Sequence, residues 1–177
     1  MKDTFTSIYE NNTWGSDGSR SGPGSTVDRA KTVGRVLLEV IERYSIRSLL
    51  DAPCGDFMWM KELELPIESY VGIDIVEKLI ELNTAQFQSP GRQFLVGDLT
   101  CVSLPKSDLV LCRDCLVHFS YADVFRALSN MKKSGSRFLL TTTFRRLGEN
   151  HDIETGGWRP LNLLRAPFCL PTPLAYF

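Results

Sequence analysis

The chain alternates short apolar runs with longer amphipathic ones. From Thr32 to Tyr44, the residues Val33, Val36, Leu37, Val40, Ile41 and Tyr44 recur at three- and four-residue steps, while Arg35, Glu39, Glu42 and Arg43 fall between them. That period predicts a helix with one buried and one wet face. Ser48-Leu-Leu-Asp51 is a continuous apolar run ended by a carboxylate, the pattern of a strand buried on both faces. Pro53 and Gly55 then punctuate a turn, and Met58, Met60 and Leu63 predict a helix that Pro66 stops. Further on, Tyr70–Ile75, Gln93–Gly97, Asp108–Cys112 and Arg137–Phe144 read as strands. Glu77–Phe87 reads as a helix with Leu79, Ile80 and Asn83 on one face. Ser120 and Asp123 form a capping box that opens another. Its expected buried face is Tyr121, Val124, Phe125, Leu128 and Met131, with Lys132 and Lys133 near its end and Gly135 closing it.

Strand and helix in alternation predict an α/β fold. The expected form is a Rossmann-like, doubly wound, mainly parallel sheet of five or more strands, in three α/β/α layers with right-handed crossovers. Ligands of such sheets bind at the carboxyl ends of the strands, and the corner of Ser48–Trp59 is where the chain prepares one. Two flanks differ from this core. Residues 1–28 are polar and glycine-rich, with Tyr9 and Trp14 among them, and read as a leader or as a lid folded over a pocket. Residues 145–177 carry Gly156-Gly157, Trp158-Arg-Pro160 and further prolines, which exclude a long helix. The expected organisation is a lid or leader over 1–28, a binding domain over 29–144, and an irregular segment over 145–177 that belongs to the same domain.

Composition narrows the function. A chain of 177 residues with net charge −1 and a pI near 6.1 has no overall basic field for nucleic acid. No apolar run has the length of a membrane helix, and Met-Lys-Asp-Thr-Phe lacks the apolar centre of a secretory signal. Five cysteines, an odd number, fit reduced thiols in a cytoplasm. Cys112-Arg-Asp-Cys115 has the spacing of a redox pair or half a zinc site, but no second such pair follows, and buried inert thiols are expected. The two histidines, His118 and His151, have no metal-ligand spacing, and no metal is expected.

Three carboxylates end three successive strands: Asp51, Asp74 and Asp98. Asp74 lies about 23 residues after Asp51, close to the roughly 20-residue spacing at which an acidic side chain meets ribose hydroxyls in dinucleotide folds. The corner Asp51-Ala-Pro-Cys-Gly-Asp-Phe57 resembles the first motif of the class I S-adenosylmethionine-dependent methyltransferases, with Pro53 and Phe57 in place of the motif's outer glycines. Missing glycines argue against a nicotinamide cofactor, whose pyrophosphate needs them. The resemblance covers Ser48 to Phe144. The Trp-Gly and Ser-Gly-Pro-Gly-Ser stretches of residues 14–25 are similar to the N-terminal segment of small-molecule members.

The resemblance implies S-adenosyl-L-methionine as cofactor. Asp51, Ala52, Pro53, Cys54 and Gly55 would hold its methionine part, Asp74 and Ile75 its ribose, and Asp98 and Leu99 its adenine, with Trp14 and Arg113 also in contact. The acceptor would enter beside the fourth and fifth strands, meeting Arg145 and Arg159. His118, oriented by Asp114, is the expected base for an acceptor hydroxyl. The expected activity is methyl transfer to a small molecule. The alternatives are a cofactor-binding but inactive partner protein and a nucleic-acid methyltransferase. The family closes its sheet with a last helix and an antiparallel hairpin, for which residues 145–177 are too few. A short or truncated member is therefore expected, with an open fifth strand that invites a homodimer.

Overall fold

The computed structural model describes residues 1–14, 19–22, 24 and 27–177. Nine elements follow in order: α1 (Lys2–Glu10), α2 (Val27–Tyr44), β1 (Ser48–Asp51), β2 (Ser69–Asp74), α3 (Glu77–Phe87), β3 (Arg92–Val96), β4 (Leu109–Cys112), α4 (Tyr121–Lys133) and β5 (Phe138–Thr141). The five strands form one sheet in the order β3-β2-β1-β4-β5. Every pairing is parallel, with Leu50 opposite Val71 on one side and Val110 on the other. The strand order reverses between β1 and β4, which is where a crevice opens at the carboxyl ends.

Strand geometry explains the two-sided core. Successive side chains point to opposite faces. Leu49, Leu109 and Leu111 join one buried cluster with Leu37, Val40 and Ile41 of α2 and Leu79 and Ile80 of α3. Leu50, Val110 and Cys112 join the other with Val124, Ala127 and Met131 of α4. Each fully buried aliphatic side chain contributes about 1.5–3 kcal/mol, so the sheet is stable only with both faces covered. The second cluster also takes Leu161, Leu163 and Phe168, which places the irregular C-terminal segment against the α4 face.

Several sequence expectations are corrected. The predicted helix after β1 is a single 3₁₀ turn, Met60–Glu62. Asp56 bends the chain there by accepting from the Met58 amide at 3.3 Å, and Phe57 takes a positive φ of 59° to bury its ring. No helix separates β3 from β4. Phe125 lies on the wet side of α4, and Asp123 and Ala127 take its place inside. The N-terminal stretch, read as lid or leader, begins with a helix: α1 sends Phe5 and Tyr9 into the core and ties Lys2 to Glu77 at 2.9 Å. β5 is an edge strand, as expected. The C-terminal segment meets the chain just past its end, where the Phe144 amide donates to Leu161 at 2.8 Å.

Candidate active site

A cavity of about 400 Å³ opens at the carboxyl ends of β1, β2 and β4. Its wall includes Asp51, Pro53, Cys54 and Gly55 from the β1 corner, Asp74, Ile75 and Val76 from the end of β2, and Gly97 and Leu99 after β3. Arg113, Asp114, Cys115 and His118 follow from β4, and Trp14 closes over them. Eleven of the predicted site residues thus share one cavity wall.

The β1 corner is held by main-chain bonds. Ala52 donates to Leu111 at 2.9 Å and Cys54 donates to Ile73 at 2.9 Å, so the turn is stitched to both neighbouring strands. Ala52 itself is wholly buried behind the wall. Gly55 has φ +57°, and a Cβ there would stand 2.5 Å from Ser21 Oγ. Only glycine fits where the N-terminal segment crosses so close.

Asp51 is buried beneath this corner, and the Tyr70 hydroxyl donates to it at 2.7 Å. Burial pushes its carboxyl up to about 7, against the opposing pull of that bond and of the Arg113 charge. Asp74 accepts from the Gly55 amide at 3.1 Å on one oxygen and from the Val76 amide at 3.0 Å on the other. Burial raises its pKa too, and these amides oppose the rise. Each oxygen keeps a second lone pair for a ligand hydroxyl. A sulfonium amino acid joined to a ribose fits this donor and acceptor set: carboxylates for the ammonium and the diol, and no phosphate to demand a wider glycine loop.

His118 sits in the 3₁₀ turn Leu116–His118, ahead of the Ser120 cap of α4. Its Nδ1 lies 2.8 Å from the Gly157 carbonyl oxygen. A carbonyl only accepts, so Nδ1 carries the proton and Nε2 keeps its lone pair. Trp14 stacks on the imidazole with centroids 4.6 Å apart and planes at 30°. Burial lowers the pKa of His118, although the Gly157 bond works against it, which keeps the ring neutral.

Four expectations change at the site. Asp114 does not orient His118. It accepts from Thr142 Oγ1 at 2.9 Å and pairs with Arg113 at 3.2 Å, and the Gly157 carbonyl does the orienting instead. Arg159 is 1% exposed and stands behind the wall, where its guanidinium donates to the carbonyls of His151, Leu116 and Phe119 at 3.1, 3.0 and 2.7 Å. Arg145 lies outside the cavity, with its guanidinium 3.8 Å from the centre of the Tyr176 ring. Asp98 closes its own turn, accepting from the Thr100 amide at 2.8 Å and its hydroxyl at 2.6 Å, so Gly97 and Leu99 line the wall and Asp98 does not.

The N-terminal segment fastens to the site at several points. Asp56 accepts from Ser19 Oγ at 2.7 Å and from the Arg20 amide at 3.1 Å, and its own amide donates to Ser21 Oγ at 3.0 Å. The Arg113 guanidinium donates to the Gly24 carbonyl and lies 5.3 Å from the centre of the Trp59 ring. Gly15, Gly18, Pro23 and Ser25 of the expected lid lie outside the described residues. Missed in the sequence are Gly157, Trp158 and the hold of Asp56 on the N-terminal segment. The second carboxylate of the β1 corner and a tryptophan after paired glycines were the available signals.

Cys112 and Cys115 are both buried and unoxidised. The hydrogen bond between them and burial push the Cys115 thiol well up, which makes it inert. No group of metal ligands occurs among the described residues.

Residues 49–135 match a family described as a methyltransferase domain. Over these residues, just under half of its length, the chain carries a methyltransferase domain. It resembles the N-methyltransferase NodS of Bradyrhizobium japonicum in complex with S-adenosylhomocysteine, at 15% identity and a TM-score of 0.57, over 72% of this chain and 67% of that one. It also resembles magnesium protoporphyrin IX methyltransferase of Synechocystis, at 20% identity and 0.53, over 75% of this chain and 65% of that one. Human N-acetylserotonin methyltransferase matches at 18% identity and 0.56, over 75% of this chain. That match spans only 38% of the human enzyme's length. No curated protein sequence matches the chain. No helix among the described residues is long and apolar enough to cross a membrane.

Proposed function

We propose that this methyltransferase domain binds S-adenosyl-L-methionine and transfers its methyl group to a hydroxyl of a small molecule. One observation carries the reading: His118 presents an unprotonated Nε2 to the same cavity that holds the β1 corner and Asp74. When bound, the cofactor supplies a methyl carbon activated by a positive sulfur. The protein has then to hold, orient and dehydrate the partners. Pro53, Cys54 and Gly55 hold the methionine part, with Asp51 beneath it. Asp74 accepts from the ribose hydroxyls, and Gly97 and Leu99 flank the adenine. Trp14 covers the site, and Arg113 anchors that cover through Gly24. His118 Nε2 takes the acceptor's proton while Gly157 keeps the ring in the correct tautomer.

The names of the N-acetylserotonin and magnesium protoporphyrin IX enzymes support the small-molecule part of this reading, and the hydroxyl rests on His118 alone. So does the net charge of −1, which gives nucleic acid no purchase. Unpaired cysteines suit a cytoplasmic protein, and the open edge of β5 is where a second copy would add. Calorimetry with S-adenosylmethionine and with a nicotinamide dinucleotide tests the cofactor. Binding of the first alone is expected, and binding of neither would defeat the proposal.

A further inference from the structure

The side of the cavity around His118 is walled by rings. Phe5, Trp14, His118, Phe119 and Trp158 all line it. Phe5 lies 5.9 Å from Phe119 and 6.4 Å from Trp14, and Trp14 lies on His118, so four rings form one connected surface. Trp158 directly follows Gly157, which holds His118, and it is 60% exposed. It meets Phe144 only edge-on, at 6.3 Å and 88°. An indole left mostly in water on the wall of an apolar cavity is surface that a ligand would bury.

Polar groups on this side are few. His118 Nδ1 is taken by Gly157, which leaves Nε2. The charges of this wall are engaged: Arg113 and Asp114 pair at 3.2 Å, and Arg20 donates to the Tyr9 carbonyl at 3.4 Å and lies over its ring. A polyol seated here would leave several hydroxyls unpaired, and a charged acceptor would lose its water without a partner. A flat uncharged ring with one hydroxyl loses neither.

We propose that the acceptor is an uncharged aromatic hydroxyl compound, seated against Phe5, Phe119 and Trp158 with its hydroxyl at His118 Nε2. The inference rests on the methyl-transfer reading above. In the step, the acceptor oxygen bonds to the methyl carbon. The carbon–sulfur bond breaks with its electron pair going to sulfur, and the hydroxyl proton passes to Nε2. The products are an aryl methyl ether, S-adenosylhomocysteine and a protonated His118.

The test titrates the purified chain with naphthol, with its saturated analogue decalol and with methyl glucoside. Each titration is run with and without S-adenosylhomocysteine and followed by calorimetry and tryptophan fluorescence. Naphthol is expected to bind at least about tenfold tighter than decalol, with methyl glucoside weakest. Trp158→Ala should weaken naphthol about tenfold while S-adenosylhomocysteine binds as before, and Trp158→Phe should restore most of the loss. Decalol or methyl glucoside binding as well as naphthol would overturn the inference, as would an indifferent Trp158→Ala. Naphthol binding in a protein that ignores S-adenosylhomocysteine would overturn the cofactor reading and with it the role of acceptor, whereas S-adenosylhomocysteine binding with naphthol ignored would overturn this inference alone.

Discussion

The two sides of the cavity are built by different means. On the cofactor side, β1, β2 and β4 fix the corner through main-chain bonds such as Cys54 to Ile73, so the turn hangs on regular strands. On the acceptor side, residues 145–177 have no regular element, and side chains hold the backbone in place. Arg159 gathers three carbonyls, and Asn150 donates to the carbonyls of Asn162 and Ala166. Asn162 in turn donates to Leu147 at 2.8 Å. A regular scaffold tolerates loss of one side chain, because its bonds are shared among many residues. A scaffold knotted by a few polar side chains fails when one knot is cut.

Arg159→Ala is therefore the strongest test of the contrast. It strands the buried carbonyls of Leu116 and Phe119 and leaves a cavity, and a loss of about 5 kcal/mol in urea unfolding is expected. An Ala at Arg145, outside the core, should change stability by under about 0.5 kcal/mol. Equal effects at both positions would erase the distinction between knot and surface.

On the cofactor side, the largest effect comes from protons. Asp51 has its pKa raised to about 7 by burial, above the usual carboxylate value. The folded state then binds more protons than the unfolded one between about pH 4 and 7, so stability falls as pH rises through that window. The loss is on the order of 4 kcal/mol. Asp51→Asn should flatten the curve, as read from thermal melts at several pH values.

His118 lies where the two sides meet. His118→Gln should reduce turnover roughly 10²- to 10⁴-fold and leave cofactor affinity intact. Because burial holds the His118 pKa down, the acid limb of wild-type turnover should fall below the ordinary histidine value near 6.5. A limb above that value would assign the base elsewhere. Asp74→Ala should weaken the cofactor by about 1.5–3 kcal/mol in calorimetry, since a charged acceptor for two hydroxyls is lost. The smallest effect belongs to Asp56→Ala, which frees Ser19 and Arg20 for about 1 kcal/mol. Protease cutting near Ser19 should rise in this variant and fall when cofactor binds, and unchanged cutting would deny the N-terminal segment its covering role.

The same contrast explains what could be read from the sequence. Helices α2, α3 and α4 and all five strands follow from local periodicity, and their positions need no knowledge of distant partners. The positions of Asp51 and Asp74 on the cavity wall follow too, because a strand end and a spacing place them. Arg159 and Asp98 were misread for the opposite reason. An arginine in a proline-rich stretch looks solvent-facing until the carbonyls of Leu116 and Phe119 are known to converge on it. A strand-end carboxylate gives no sign that the hydroxyl of Thr100 will claim it. Gly157 acts through its carbonyl, which no side-chain pattern can announce.

The contacts of Gly156–Arg159 have a further consequence for how the chain can vary in length. The Gly156 amide donates to the His118 carbonyl at 2.9 Å, the Gly157 carbonyl accepts from His118, and the Arg159 amide donates to Val117 at 3.1 Å. Three anchors fall within four residues, all against one short turn. One inserted residue shifts the chain by about 3.3–3.6 Å, more than a hydrogen bond can stretch, so no added length between Gly156 and Arg159 keeps all three. The exposed stretch Gly148-Glu149 carries no such lock and can absorb insertions. Spacing, more than residue identity alone, is what relatives sharing this way of holding the histidine must keep.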